Sequence, residues 1–546
     1  MSMSETLEQA ERRRLLLQES LDAQRTQLER NRMGQFATPS ALAQDVLRYA
    51  ASLLPRDANI RFFDPALGAG SFFSALLRVF PRDRIRRAVG FEIDPHYGDP
   101  AAELWKEHGL IVNHCDFTRA EPAPQFNLLI CNPPYVRHHH LQNGEKRRLQ
   151  QRTQQASGME LSGLAGLYCH FLGQSHPWMA AGGVAGWLIP SEFMDVNYGR
   201  EVKRYLLQRV TLLHIHRFDP QDVQFADALV SSAVVWFWNA PPPANHHVKF
   251  TFGGTITEPR IAREVGADAL AQETKWTRFP ISEIRECSDA PRLSDFFHIK
   301  RGVATGANSF FILSRDDILA RGLPIELFRP ILPSPRYLCQ DEIAALEDGA
   351  PDVERRLYLL DTKLPEEQIR QKYPALFAYL EEGKARGLPA GYICSHRVPW
   401  YSQEQRPPAP ILCTYIGRGD AKSGRPFRFI LNNSRATVAN VYLAMYPTAR
   451  LARAVETDSI LMRRIWESLN AMVPAQLLNE GRVYGGGLHK LEPKELGSVD
   501  ATFLADLLPT DVVPTRGRQQ WLFEGEGPQG AAPPNRRAAP KTPGRS

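Results

Sequence analysis

The distribution of apolar and polar positions divides the chain into regions of different character. Residues 5–32 are rich in Leu, Glu, Gln and Arg and lack Gly and Pro. Leu17, Leu21 and Leu28 share a heptad-like stripe, which predicts one helix packed on the chain's own main body. From 33 to 240, strand-like apolar runs occur at 60–64, 88–94, 109–113, 126–132, 184–190, 210–218 and 229–238, with helical patterns between most of them. This alternation predicts an α/β unit, a mainly parallel sheet with helices on both faces. The last two runs are joined too tightly for a parallel crossover and are expected to pair antiparallel at one edge. The Pro-rich run 239–245 reads as a linker. Residues 246–500 have shorter, irregularly spaced elements and predict a separate α+β domain, and the Gly/Pro/Ala/Arg-rich stretch 525–546 predicts a disordered basic tail.

Composition narrows the class. The chain has 546 residues, 43% hydrophobic and 23% charged, enough to bury real cores. No run approaches the ~18 apolar residues of a membrane helix, and residues 1–18 lack the apolar segment of a secretory signal. Seven scattered cysteines without a Cys-x-x-Cys pair argue against a zinc cage or a disulfide framework and fit the cytoplasm. Half of the net charge of +6 lies in residues 511–546, so the body is close to neutral and charge alone does not establish a nucleic-acid partner.

Two constellations carry chemistry. In Asp64-Pro65-Ala66-Leu67-Gly68-Ala69-Gly70-Ser71-Phe72, a strand ends, a glycine loop turns and a helix begins. Glycines allow close backbone approach to a ligand, and Glu92, ending the next strand, can accept hydrogen bonds from both ribose hydroxyls of a nucleoside cofactor. The loop lacks the Gly-Lys-Ser/Thr of a nucleotide-triphosphate loop and the third Gly of the dinucleotide fingerprint. In Asn132-Pro133-Pro134-Tyr135, directly after the run 126–131, two prolines stiffen the backbone and remove two N–H donors. An Asn oxygen and a rigid carbonyl can together accept both hydrogens of one exocyclic amino group, such as N6 of adenine, while Tyr135 offers a flat face for the ring. The bland reading of either segment alone is a turn. Their placement at strand ends of a doubly wound sheet, where ligands bind, favours the functional one.

These motifs in this order, with Phe91-Glu92-Ile93-Asp94 between them, resemble the γ-type N6-adenine DNA methyltransferases of restriction–modification systems. The resemblance spans roughly residues 30–500. It includes Gly34-Gln35-Phe36-Ala37-Thr38-Pro39, Asp116-Phe117, Ile189-Pro190-Ser191-Glu192-Phe193 and, in the second domain, Lys300 to Asn308 and Gly485 to Pro493. It implies a Rossmann-like fold dependent on S-adenosylmethionine, no metal, a C-terminal target-recognition domain, double-stranded DNA as substrate and a separate restriction endonuclease or defence-system partner. By the same resemblance, Thr38, Asp64, Ala66, Gly68 and Gly70 hold the methionine side of the cofactor, Glu92 its ribose, and Asp116 and Phe117 its adenine. Asn132 and the Pro133 carbonyl grip the target amino group, Pro134 stiffens the loop, Tyr135 stacks on the base, and Phe225 is the candidate for its other face.

Adenine N6 is paired inside a duplex, so such an enzyme must flip the base out. His138-His139-His140 invites a metal reading, but three consecutive histidines point in different directions and chelate poorly. Lys300, Arg301, Trp400, Tyr401, His489 and Lys490 are the candidate DNA contacts. The alternatives are methylation of a protein amide or of RNA, and a DNA-binding subunit active only within a multi-protein defence complex. Gly166-Leu167-Tyr168 departs from the Asp-Leu-Tyr that many family members carry.

Overall fold

The computed structural model describes residues 6–512 apart from 124, 220–230, 281–289, 419–425, 473, 479, 485–487 and 509–511. Phe225, Gly485 to Gly487 and the tail 525–546 therefore lie outside the described residues.

The N-terminal stretch folds as two helices, α1 (Leu7–Ala23) and α2 (Gln27–Met33), where the sequence predicts one. Each starts at a capping box, Thr6 with Gln9 and Thr26 with Glu29, in which hydroxyl and side-chain acceptor satisfy each other's backbone N–H groups. The second box restarts the helix and breaks the predicted stripe. Leu21 is buried, whereas Leu28 is 78% exposed.

Helices α3 (Ser40–Leu53), α4 (Ser71–Val79) and α5 (Pro95–Trp105) alternate with strands β1 (Ile60–Asp64), β2 (Ile85–Phe91), β3 (Leu110–Asn113) and β4 (Phe126–Cys131). Then come α6 (Asn143–Ser157), α7 (Leu167–Gln174), β5 (Met179–Pro190), α8 (Gly199–Gln208), β6 (Thr211–Arg217) and β7 (Ser232–Trp238). Neighbours β3-β2-β1-β4-β5 are parallel, and β7 inserts antiparallel between β5 and β6. The strands are apolar on both faces because both faces are covered. Phe63, Leu129, Trp187 and Val235 point into one core with α7 and α8, while their neighbours Phe62, Leu128, Leu188 and Val234 point into the other with α3 and α4.

The hairpin β6–β7 pairs antiparallel as the short connection requires, but it is not an edge. Residues 239–245 lead into two further strands of the same sheet, β8 (His247–Gly254) and β9 (Pro259–Gly266), with β8 parallel to β6. The prolines turn the chain back onto the sheet rather than carrying it to a new unit. Beyond Gly266 the described chain forms one five-stranded and two three-stranded sheets with short helices. Three separate apolar clusters fill this half. No helix among the described residues is long and apolar enough to cross a membrane.

The inner face of the large sheet buries imidazoles. His214 Nε2 and His216 Nδ1 lie 2.6 and 2.8 Å from the Thr251 hydroxyl, and His214 stacks on Trp236. Burial pushes His214 down to about 2 and His216 to about 4, and burial likewise takes His170 to about 4. All three are neutral in the fold, while an unfolded imidazole protonates near 6.5. Their contribution is complete above pH 6.5 and is lost as pH falls toward 4, each group costing about 1.4 kcal/mol per pH unit in that window. The urea midpoint is therefore expected to drop between pH 7 and pH 5. A His216→Gln variant should show a shallower drop, and an equal slope for variant and wild type contradicts this assignment.

Candidate active site

The carboxyl ends of β1, β2 and β4 bring the two motifs together. Asp64, the last residue of β1, is 1% exposed and its Oδ1 accepts the Ala66 N–H at 3.1 Å. Burial, with Glu92 nearby, pushes this carboxyl up to about 7. The loop after it is held by its backbone. Leu67 N donates to Phe91 O at 2.8 Å, Gly68 N to Glu92 Oε2 at 2.9 Å, and Trp105 Nε1 to Ala69 O at 3.0 Å. Gly70 starts α4 at φ +85°, and a Cβ there would lie 2.4 Å from Trp105 Nε1, so both conformation and space demand glycine. Above Gly68 the space is open.

Glu92 follows β2. Its Oε1 accepts the Asp94 N–H at 2.9 Å, so two backbone donors orient the carboxylate, and burial raises its pKa against their pull. Each oxygen retains a lone pair for a diol. Ile93, beside it, is 67% exposed. The motif draws attention to Glu92 and not to Ile93, whose exposure beside a buried acid is visible only in the fold. Phe117 instead is 3% exposed and packs among Phe63, Phe91, Phe171 and Trp178. Its ring is packed into the core beside the site. Asp116 caps the turn 117–119, with Oδ1 accepting the Thr118 N–H at 2.8 Å and Oδ2 3.3 Å from Arg119 Nε.

Asn132 follows β4. Its Nδ2 donates to Phe36 O at 3.0 Å and to Thr38 Oγ1 at 3.1 Å. The amide is thereby fixed, and its Oδ1 is buried without a hydrogen-bond partner among the described residues. A buried, oriented, unused acceptor costs stability and calls for an explanation. Thr38, 6% exposed, thus touches the Asn loop directly. Pro133 is buried and Pro134 half-buried. Tyr135 is 9% exposed, with its hydroxyl donating to Leu188 O at 3.1 Å and its ring 5.6 Å from that of Phe36. Burial raises its pKa and keeps the phenol neutral.

The segment 34–38 is pressed against this loop. Tyr135 N donates to Gly34 O, and a Cβ on Gly34, at φ +68°, would sit 2.4 Å from Tyr135 N. Gly166 is crowded too. A Cβ there would lie 3.1 Å from the Tyr168 ring, so a larger residue needs Tyr168 to yield. His138 to His140 form a short turn with the rings of His139 and His140 4.1 Å apart. Among the described residues no group of three or more His, Cys, Asp or Glu side chains is arranged around a metal position.

Comparison with known proteins places the chain in a family. Residues 97–224 match the Eco57I restriction-modification methylase model, and residues 274–513 match that of the C-terminal domain of type II methyltransferase M.Eco57I. Type II methyltransferase M.XamI of Xanthomonas campestris pv. amaranthicola is 28% identical over 477 residues, 85% of this chain and 84% of its own. Type II methyltransferase M.AccI of Acinetobacter calcoaceticus is 22% identical over 489 residues, 86% of this chain and 85% of its own. The chain belongs to the type II restriction–modification methyltransferases. The fold of this methyltransferase is shared with the type IIL restriction–modification enzyme MmeI in complex with DNA, at a TM-score of 0.54 and 12% identity over 82% of this chain and 67% of that one.

In the C-terminal half the methyltransferase sorts the six predicted DNA contacts differently. Lys300 is exposed on strand Phe297–Arg301. Arg301 lies 4.0 Å over the Tyr415 ring, and its Nη2 donates to Asn440 O at 3.3 Å. Lys490 sits 5.2 Å from the same ring and 2.9 Å from Glu492 Oε1. Arg301 and Lys490 thus meet around Tyr415. His489 is half-buried, and burial lowers its pKa. Tyr401 is fully buried with its hydroxyl bound to Leu364 O, and Trp400 packs on Phe310 and Phe311. Tyr401 is thus a core residue, and Trp400 is half-buried against the same core. The exposed apolar groups nearby are Tyr392, 82% exposed, and Val398, 97% exposed.

Proposed function

We propose that this methyltransferase transfers a methyl group from S-adenosylmethionine to N6 of adenine in a specific double-stranded DNA sequence, as the modification partner of a separate restriction endonuclease. The observation that carries this reading is the Asn132 amide, whose nitrogen is fixed by Phe36 O and Thr38 while its buried Oδ1 stays unpartnered. That acceptor suits a substrate N–H, and nothing among the described residues fills it.

The residues fit the cofactor. Open space above Gly68, the oriented carboxylate of Glu92 and the exposed face of Ile93 line the end of the sheet where a nucleoside would lie. Bound there, S-adenosylmethionine supplies a methyl group on a positively charged sulfur. Glu92 would hold the ribose hydroxyls, and Thr38 and the loop 66–70 the amino-acid end. Asn132 Oδ1 and the Pro133 carbonyl would each accept one N6 hydrogen, which directs the nitrogen lone pair away from the ring and toward the methyl. Holding the attacking nitrogen in line is the main task, because displacement from a sulfonium needs alignment more than acid or base. The base must leave the duplex first, at a cost of about a few kcal/mol. Stacking on the remaining exposed part of Tyr135 offsets part of that cost. Target recognition falls to the half with the three smaller sheets, since β8 and β9 belong with the catalytic sheet by pairing.

The test is modification-sensitive sequencing of DNA from cells expressing this chain alone. N6-methyladenine confined to one sequence motif is the expected result. A soluble chain that leaves DNA unmodified rejects the autonomous enzyme. Methylation at cytosine or on RNA rejects the assigned target.

A further inference from the structure

One polar cluster outside the reacting groups connects both halves of the site. Asp94 lies two residues beyond Glu92, caps α5 through the His96 N–H, and donates its own N–H to Glu92. Its carboxylate takes a bidentate grip from Arg25, between α1 and α2, with Nη2 3.1 Å from Oδ1. It also accepts Gln35 Nε2 at 2.9 Å, and Arg25 Nη1 reaches Gln35 Oε1 at 3.1 Å. Gln35 immediately precedes Phe36, whose carbonyl holds the Asn132 amide. Two side chains ten residues apart in the N-terminal stretch therefore converge on one carboxylate 59 to 69 positions further along the chain. Two further bonds seat the same helix end, Tyr97 to Asp22 at 2.7 Å and His96 to Leu21 O at 3.0 Å.

We propose that Arg25 is a positioning residue, which through Asp94 and Gln35 sets the ribose-binding carboxylate Glu92 and the Asn132-holding segment 34–38 in register with each other. This rests on the cofactor reading above. The guanidinium is suited to the task because its planar fork bonds a carboxylate and an amide oxygen at fixed angles, which an ammonium cannot reproduce. The N-terminal helices thereby act as part of the cofactor site without touching the cofactor.

The test is calorimetric binding of S-adenosylmethionine to the full chain without DNA, for wild type, Arg25→Ala and Arg25→Lys, alongside melting temperature and duplex affinity. Arg25→Ala is expected to weaken cofactor binding about 10-fold with duplex affinity unchanged, and Arg25→Lys to recover part of it. If Arg25→Ala does not fold, the lysine variant carries the test through its intermediate cofactor affinity. Wild-type cofactor affinity in a folded Arg25→Ala or Arg25→Lys chain overturns the positioning role alone. Parallel loss of cofactor affinity, duplex affinity and melting temperature also overturns it, in favour of a purely structural role. A wild-type chain that binds duplex DNA but no S-adenosylmethionine overturns the cofactor reading and the positioning role together.

Discussion

Asn132→Ala is expected to lower the rate of methyl transfer by at least about 10²–10³-fold, the scale of removing a preorganised hydrogen-bonding group from a reacting centre. Cofactor affinity should change little, because in the proposed arrangement Asn132 holds the target amine and not the ribose. The comparison with Asn132→Asp is informative. Aspartate keeps an acceptor but replaces the donor that bonds Phe36 O and Thr38 Oγ1. It sets an oxygen against the Phe36 carbonyl, so the side chain must rotate and the acceptor direction is lost. Aspartate is therefore expected to be nearly as damaging as alanine despite its size. Single-turnover rates with equilibrium binding of S-adenosylmethionine make the measurement. An alanine variant within about threefold of the wild-type rate, far short of that scale, would show that the amide does not hold the substrate.

Glu11→Ala is expected to have the largest effect on stability, about 3–5 kcal/mol, because it strands a buried guanidinium. Arg14, 1% exposed, donates from Nε and Nη2 to the two oxygens of Glu11 at 2.7 Å each. The same group reaches Ser71 and Ser40 at 3.0 Å, and Ser74 and Ser40 bond the carboxylate in turn. Although burial alone would raise it, the hydrogen bonds from Arg14, Ser40 and Ser74 pull the Glu11 carboxyl down to about 2 from an ordinary 4.5. The sign follows. The network's contribution is complete above pH 4.5 and is lost as pH falls toward 2. Replacing both partners, Glu11→Leu with Arg14→Met, should cost less than Glu11→Ala alone, since no charge is left unpaired. Urea unfolding of the two variants against wild type decides it. A double variant less stable than Glu11→Ala contradicts the stranded-charge explanation.

The legible and illegible parts of the site separate along a physical line. That Asp64, Gly68, Gly70, Glu92 and Asn132 lie at the carboxyl ends of neighbouring strands was legible in the sequence because their backbone context is local. A glycine loop, a strand-ending acid and a double proline fix the backbone within a few residues. The burial of Phe117 and Tyr401 was not legible, because an aromatic residue beside a motif suits a binding face and a core equally well. Ile93 was passed over for the converse reason.

The alternation of apolar runs and helical patterns by itself determined a parallel sheet covered on both faces, because a strand buried on both sides must be apolar throughout. It also determined the order of the motifs and the short antiparallel return of β6 and β7. Only the tertiary structure decided that β8 and β9 extend this sheet, since strand pairing is settled by partners far along the chain. Only it buried Glu11 and Arg14 in a helix whose predicted packing stripe runs through leucines, and only it brought Arg25, Gln35 and Asp94 together. A charged side chain carries no local mark of burial. What makes burial tolerable is a partner across the fold, and for Arg14 that includes a serine 57 positions away.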